Sequence, residues 1–309
     1  MPPETLREQV REIRDLTEGP FGVNLFVASP FEADPERIRH ANELLAPYRK
    51  ELGIEAPQKF SSFEKNFEDQ LEVVFEERVP VFSFTFGSLG PDLTSRLKQN
   101  GVTVVGTATT VREGLKLQED GVDMVVAQGS EAGGHRGTFL GDFRDSLIGT
   151  MALVPQMVDA LSVPVVASGG IMDGRGLAAA LVLGAEAAQM GTAFLVCEES
   201  GAHPEFKRAV LKAAENETSV TRAFSGRAAR GLKNRFLVEV GQHEAELPPF
   251  PVQNTLTKDV RSAAQRQDRP EFMPLWAGQG MRLARPTNAA ELVGSVVEEA
   301  ENTLRELVR

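Results

Sequence analysis

Short apolar runs alternate with amphipathic stretches through roughly the first two thirds of the chain. Each run is rich in Val, Phe or Ala and is bounded by Gly, Pro or polar residues, which is typical of buried strands. The runs lie at residues 21–28, 79–86, 102–106, 122–127, 163–168 and 187–194. Nearly all of them are apolar at consecutive positions, so we expect a parallel sheet that is covered on both faces.

The stretches between the apolar runs carry apolar residues at helical spacing. Leu6, Val10 and Ile13 illustrate this spacing in the first segment. Helices are predicted at 4–17, 34–52, 62–76, 91–100, 110–120, 147–161 and 174–183. Strands that alternate with helices predict βα units. The repeated strand entries are typical of barrel strands, and about six barrel strands are visible.

The pattern changes after about residue 200. Helices are predicted at 203–216 and 257–266, with irregular Pro-rich and Gly-rich chain between them, and a long amphipathic helix at 287–307. We therefore expect a βα barrel at 1–199, a small, mainly helical inserted domain at 200–285, and a C-terminal helix at 286–309 that packs back on the barrel.

Composition limits the classes of function. The chain has 309 residues, 41% of them apolar and 25% charged, and a formal net charge of −11, which argues against nucleic acid as a partner. The single cysteine, Cys197, excludes an internal disulfide framework, and no clustered Cys or His ligands are visible, so no metal site is expected. His40, His203 and His243 lie in polar contexts, where we expect them to be solvated. No signal-peptide-like or membrane-spanning apolar segment is visible, which favours a soluble, cytoplasmic protein.

The stretch 127–137, AQGSEAGGHRG, is the main candidate for chemistry. It follows a predicted buried strand, and its glycines permit close backbone approach to a ligand. His135 has the residue type for proton transfer near neutral pH, although it could instead order a surface loop. Glu131 could pair with Arg136, orient His135 or cap the following turn.

Two further loops suggest an anion site. Ser168-Gly169-Gly170-Ile171 and Gln189-Met190-Gly191-Thr192 each follow a predicted strand. In (β/α)8 barrels such consecutive loops commonly bind phosphate through backbone N–H groups. The alternative is a pair of tight turns that need glycine only for their geometry.

Polar residues within apolar surroundings are secondary candidates. Asn24 and Gln128 lie in or at the end of apolar strands, where each either bonds neighbouring backbone or touches a ligand. The cationic run 222–235 is either a solvated ribbon or a feature that attracts an anionic substrate. Trp276 is expected to have a packing role.

Six segments together resemble the nitronate monooxygenase family, formerly called 2-nitropropane dioxygenases. They are AQGSEAGGHRG, VPVVASGGI, AAQMGTAF, PFGVNLFV, SGRAARGLKNRF and LWAGQG. The resemblance implies an FMN-binding, TIM-type (β/α)8 barrel with a small helical substrate domain. It implies oxidation of alkyl nitronates, such as propionate 3-nitronate, by O2 to a carbonyl compound and nitrite.

The resemblance also implies roles for individual residues. His135 matches the family's active-site histidine, acting as a base for a neutral nitroalkane or as a hydrogen-bond donor to a nitronate. The residues implied to bind FMN are Asn24, Gln128 and Gly133 at the flavin, and Gly170, Gln189, Met190, Gly191 and Thr192 at the phosphate end.

The chain departs from the family at its beginning, because family members start with two further strands. We expect the first two βα units to be absent, about 40–60 residues at a typical unit length of 20–30. The explanation expected is a mis-set start or a fragment. The alternatives are an FMN- and NAD(P)H-dependent enoyl reductase of the same superfamily, or an inactive truncated barrel that only binds an anion. A nitronate or nitroalkane and O2 are the expected partners, and a homodimer is possible.

Overall fold

The computed structural model describes residues 1–27, 30–55 and 66–307. The strands in these ranges, numbered in chain order, are β1 (Gly22–Phe26), β2 (Val81–Thr85), β3 (Thr103–Ala108), β4 (Met124–Gln128), β5 (Gly134–His135), β6 (Val165–Ser168), β7 (Ala187–Gln189), β8 (Thr218–Thr221) and β9 (Ala229–Leu232).

The α-helices of the same ranges are also numbered in chain order. They are α1 (Pro3–Leu16), α2 (Pro35–Glu51), α3 (Asn66–Glu76), α4 (Gly90–Gln99), α5 (Val111–Glu119), α6 (Thr150–Ala160), α7 (Gly174–Val182), α8 (Thr192–Leu195), α9 (Pro204–Lys212), α10 (Arg235–Gly241), α11 (Val252–Leu256), α12 (Lys258–Arg266) and α13 (Ala289–Leu307). Short 3₁₀ helices lie at Phe143–Ser146, Pro270–Phe272 and Gln279–Leu283. The first part of the predicted helix 62–76 lies outside the described residues.

Six strands form one parallel sheet in the order β1-β2-β3-β4-β6-β7. Helices connect successive strands, so the predicted α/β, TIM-type architecture with about six barrel strands is confirmed. The register places Gln128 opposite Ser168, and Ser168 opposite Gln189. The carboxyl ends of the last three strands therefore meet at one edge of the sheet. Within the described ranges, β1 and β7 each have one neighbouring strand only.

The main core lies between the sheet and its helices. Phe82 and Phe84 of β2 are fully buried there, in contact with apolar side chains of the neighbouring strands and helices. The expectation that nearly all strands are covered on both faces is wrong for β1 and β7. In β1, Val23 and Leu25 are buried, whereas Asn24 and Phe26 on the opposite face are exposed; in β7, Ala187 and Gln189 are exposed.

The apolar run 187–194 was predicted as one strand, and the structure corrects this. The strand ends at Gln189, and Thr192–Leu195 forms the short helix α8. The N–H of Phe194 donates to the carbonyl of Gly191 at 3.0 Å and closes the helical turn. Thr192 and Ala193, the buried residues of this segment, are therefore covered as part of a helix rather than of a strand.

A second core involves residues that are distant in the sequence. Ala41, Leu45 and Tyr48 of α2 pack with apolar side chains from residues 196–281. A small antiparallel sheet, in the order β5-β9-β8, joins the His135 segment to this part of the chain. A third, smaller core joins Leu292 and Val296 of α13 to Met172, Ala193 and Cys197. The domain limits at 199 and 285 remain predictions.

Among the residues that the structure describes, no helix is both long enough and apolar enough to cross a membrane.

Candidate active site

A cleft lies at the carboxyl ends of β4, β6 and β7. The loops that follow these strands form one side of the cleft. The segment around Trp276, much later in the chain, packs against these loops and forms the other side. The residues that line it are Gln128, Ala132, Gly133, Gly134, Ser168, Gly169, Gly170, Ile171, Met172, Gln189, Gly191, Thr192, Leu195, Trp276, Gly278 and Gly280. Six of the eight predicted cofactor residues are among them.

Asn24 and Met190 are the two that do not line the cleft. Asn24 is on the edge strand β1, where its Oδ1 accepts a hydrogen bond from Ser83 Oγ at 3.0 Å. The side chain of Met190 is partly buried and packs against the main core and against the small core beneath α13. Whether any of the eight residues contacts a flavin remains a prediction.

The loop after β6 has a backbone that requires glycine. Gly169 and Gly170 have φ values of +115° and +75°, which are unfavourable for residues with a Cβ atom. Gly191 is in the loop after β7, where an added Cβ would meet no atom of the described residues within 4 Å. The N–H groups of Gly170 and Gly191 donate to no other described residue. The cleft therefore presents backbone donors that suit an anionic ligand.

Gly133 permits contact between two loops. A Cβ at this position would lie 2.5 Å from the N atom of Gly278 and 2.6 Å from the carbonyl carbon of Ala277. In the same contact, the N–H of Gln279 donates to the carbonyl of Glu131 at 2.9 Å. The LWAGQG segment thus packs directly on the EAGGH segment, which fixes one wall of the cleft.

His135 is held by both a backbone pairing and a side-chain hydrogen bond. It is in β5, opposite Ala229 of β9, and its Nε2 lies 2.8 Å from Ser225 Oγ. Ser225 Oγ donates its proton to the carbonyl of Arg227 at 3.0 Å, so it accepts from His135. This network assigns the proton of the neutral ring to Nε2 and leaves Nδ1 as a hydrogen-bond acceptor.

Aromatic side chains surround the imidazole. The ring centroids of Phe26, Phe86, Phe250 and Trp276 lie 5.5–6.3 Å from that of His135. Burial among these rings, reinforced by the positive charges of nearby arginines, lowers the pKa of His135 from 6.5 to about 4. The ring is therefore neutral at pH 7.

Arg136 and Gln128 brace the loop that carries His135. Arg136 is almost fully buried, and its Nη1 donates to the carbonyls of Gln128 and Gly129 at 2.8 Å each. Gln128 Nε2 donates to the carbonyl of His135 at 3.0 Å, and Gln128 Oε1 accepts from the N–H of Gly137 at 2.8 Å. Of the two roles expected for Gln128, the bond to neighbouring backbone is the one observed.

Glu131 caps a helix. Its carboxylate accepts from the N–H of Thr150 at 2.9 Å and from Thr150 Oγ1 at 3.0 Å, at the first residue of α6. A carboxylate at this position satisfies an otherwise unpaired amide and complements the helix dipole. The capping role is therefore the one observed, and no pairing of Glu131 with Arg136 or His135 occurs within hydrogen-bond distance among the described residues.

The cationic run 222–235 has a role that sequence reasoning missed. Arg227 donates to the carbonyl of Thr138, and Arg230 Nε donates to the carbonyl of Ser130 at 2.9 Å. These arginines attach the His135 loop to β9 and to the turn before it, so the run is not simply a solvated ribbon. Ser225 was also missed, although it lies in the segment SGRAARGLKNRF that carries part of the family resemblance.

Known proteins resemble this chain over most of its length. The sequence profile of the nitronate monooxygenase family matches residues 1–299. A probable nitronate monooxygenase of Staphylococcus haemolyticus is 47% identical over 97% of this chain and 84% of its own length.

Solved structures show the same fold. A nitroalkane oxidase from Streptomyces ansochromogenes superposes with a TM-score of 0.92 at 38% identity, covering 99% of this chain and 87% of its own. FabK from Thermotoga maritima superposes with a TM-score of 0.75 at 30% identity, covering 99% and 84%. The profile match over nearly the whole sequence, together with a relative at 47% identity, shows that the chain belongs to the nitronate monooxygenase family.

Proposed function

We propose that the protein is an FMN-dependent oxidoreductase that oxidises alkyl nitronates with O2 to a carbonyl compound and nitrite. The observation that carries the proposal is the position of His135 beside a glycine-lined cleft at the strand ends. Membership of the nitronate monooxygenase family and the similarity to a nitroalkane oxidase favour nitro compounds as the substrate class.

The residues of the cleft fit the phosphate end of FMN. Gly170 and Gly191 each supply a backbone N–H that is not used within the described residues, and no Cβ blocks either position. Thr192 Oγ1 accepts from the N–H of Gly278 at 3.0 Å and still has a hydroxyl proton to donate. These three residues would hold the phosphate, and Gly133 and Gln128 lie in the same cleft, towards His135.

His135 supplies the acid–base chemistry in this proposal. Its Nδ1 is the ring atom without a protein hydrogen bond among the described residues, so it is the atom that accepts a proton from the α-carbon of a neutral nitroalkane. A nitronate has already lost that proton, so for this substrate the ring serves to position the nitro group. FMN, when bound, supplies the electron transfer that O2 completes.

Purified protein gives the first test. Bound FMN is expected to colour the protein yellow, and nitrite is expected to appear when a nitronate is added under air. A colourless protein that gains no flavin absorbance when incubated with FMN would overturn the proposal and favour the truncated, inactive alternative. NAD(P)H oxidation with an enoyl thioester, without nitrite release from nitronates, would favour the enoyl reductase.

His135→Asn tests the role of the imidazole. The variant is expected to keep its flavin and to lose turnover of neutral nitroalkanes by about 100-fold or more, which is the usual contribution of a general base. Turnover of preformed nitronates is expected to fall less. The matched control is His203→Asn, because His203 is at the amino-terminal end of α9, outside the cleft residues. Unchanged turnover of neutral nitroalkanes in His135→Asn would remove His135 as the base.

We also propose that the protein is cytoplasmic and that it forms a homodimer. Cell fractionation tests the cytoplasmic location, and light scattering of the purified protein tests the homodimer.

A further inference from the structure

Three possible metal ligands converge on a surface groove that is separate from the cleft. His40 is in α2, and His243 and Glu246 are in the turns that follow α10, about 200 residues later in the chain. Their candidate ligand atoms all lie within 4.8 Å of one another. Glu246 lies between the two histidines, with Oε2 2.5 Å from His40 Nε2 and Oε1 3.5 Å from His243 Nδ1.

We propose that His40, His243 and Glu246 form a binding site for a divalent transition-metal ion of the Zn²⁺ class. Two imidazole nitrogens and one carboxylate oxygen are a ligand set that Zn²⁺ accepts at bond lengths of about 2.0–2.2 Å. Ligand atoms around a tetrahedral ion with such bonds are about 3.3 Å apart. The distances between 2.5 and 4.8 Å in the cluster bracket this value, so small side-chain rotations complete the site.

The hydrogen bonding of the cluster favours an ion over a simple ion pair. Glu246 Oε2 lies 2.5 Å from the buried His40 Nε2, but within the described residues this nitrogen has no contact with hydrogen-bond geometry. A metal ion bound by both side chains would coordinate the ring nitrogen and the carboxylate together. The side chains of His243 and Glu246 are 41% and 52% exposed, so an ion can enter from solvent.

The surroundings of the cluster also favour a cation. Glu43 and Glu239 line the same groove, whereas the nearby Arg39 and Arg235 are directed into pairs with these two carboxylates. Among the described residues, no arginine or lysine pairs with Glu246. An imidazole-rich set selects Zn²⁺, Ni²⁺ or Cu²⁺ over Mg²⁺, which prefers oxygen ligands.

The consequence of metal binding is a link between two parts of the second core. Because α2 and the residues after α10 both pack into that core, an ion held by both would restrain α2. The bound ion is therefore expected to raise the thermal stability of the folded protein.

Calorimetric titration of chelator-treated protein with ZnCl2 tests the proposal. One equivalent is expected to bind, and the melting temperature is expected to rise by about 5 °C at a hundredfold excess of Zn²⁺ over its dissociation constant. MgCl2 in place of ZnCl2 is expected to give neither effect. The measurement uses no substrate, so its result is independent of the outcome of the nitrite assay.

Variants from both segments locate the ion. His40→Gln and His243→Gln are each expected to weaken Zn²⁺ binding by at least about tenfold, since even second-shell losses cost this much. His203→Gln is the matched control, because His203 lies 3.3 Å from the Asp268 carboxylate and no third ligand is near them among the residues that the structure describes. Absence of Zn²⁺ binding by the unchanged protein would overturn the proposal, as would undiminished binding in both His40→Gln and His243→Gln.

Discussion

The partly buried imidazole of His135 makes the stability of the protein depend on pH in a predictable direction. The pKa of His135 is lowered from 6.5 to about 4 in the folded protein, mainly by burial among aromatic rings. Well above pH 6.5 the ring is neutral in both states and contributes nothing to the pH dependence. As the pH falls towards 4, the imidazole of His135 becomes protonated in the unfolded chain but stays neutral in the folded protein. Acid therefore lowers the free energy of unfolding.

The size of this effect follows from the two pKa values. A shift of one unit corresponds to about 1.36 kcal/mol, so His135 accounts for a loss of about 2 kcal/mol in the free energy of unfolding between pH 7 and pH 5. Water that reaches the half-buried ring reduces this figure. His135→Asn removes the titrating group, and the variant should therefore lose about 2 kcal/mol less than the unchanged protein over the same pH range.

Urea unfolding at pH 7 and pH 5 measures the difference directly. Each protein is compared with itself at the two pH values, so the contributions of the other titrating groups to stability cancel in the difference. The contribution of the hydrogen bond to Ser225, which the substitution removes at both pH values, cancels as well. His203→Asn serves as the control for replacing a histidine elsewhere. Equal losses of stability in the unchanged protein and in His135→Asn would refute the buried, neutral state inferred for this ring.

Three further substitutions test the loops around the cleft. Gly133→Ala places a methyl group 2.5 Å from Gly278 N, so it should destabilise the fold by about 1–3 kcal/mol and reduce flavin retention. Normal urea unfolding together with full flavin content would contradict the close contact between Gly133 and Gly278. Glu131→Ala removes the cap of α6 and should cost about 1 kcal/mol in urea unfolding, whereas the exposed Glu119→Ala should cost almost nothing. Ser225→Ala removes the hydrogen-bond partner of His135 Nε2 and should lower kcat/KM for neutral nitroalkanes about fivefold. Ser225→Thr keeps the hydroxyl group and should restore the activity. Equal loss in both variants would show that the hydroxyl group does not position His135.

The strands could be predicted from sequence because their burial is local and repetitive. The run VPVFSFTF carries Phe82 and Phe84, which both enter the core between sheet and helices, and β-branched residues beside them favour extended backbone. Edge position is not encoded in the same way. The run that contains Asn24 has the same apolar character, yet one of its faces is exposed, because exposure depends on what packs against each face and not on the composition of the strand.

Contacts between distant segments were beyond sequence reasoning. His135 is recognisable from its glycine-rich surroundings, but its partner Ser225 is 90 residues away, and no spacing rule joins them. His40 and His243 were expected to be solvated because each has polar neighbours in sequence. The packing of α2 into the second core is what brings them together.

The charge distribution around His135 links the fold to the kind of ligand it binds. Four arginines near the His135 loop have a pKa that is lowered chiefly by burial, and none of them has an ion-pair partner within the described residues: Arg136, Arg227, Arg230 and Arg261. Their donors go mainly to backbone carbonyls, which fix loops without neutralising charge. The nearby carboxylates of Glu113, Glu131 and Asp259 offset this buried positive charge only in part, and an anionic ligand would offset more of it.

Binding of an anion should therefore change the protonation of His135. In the free protein, the positive charges of Arg227 and Arg261 add to burial in lowering its pKa to about 4. An anionic nitronate beside the ring offsets these charges and raises the pKa towards 6.5. NMR titration of the His135 imidazole should therefore give a higher pKa in the complex with an unreactive carboxylate analogue of the nitronate than in the free protein. Equal pKa values in the two states would show that the ligand leaves the field at His135 unchanged, and that the arginines act only on the loops they hold.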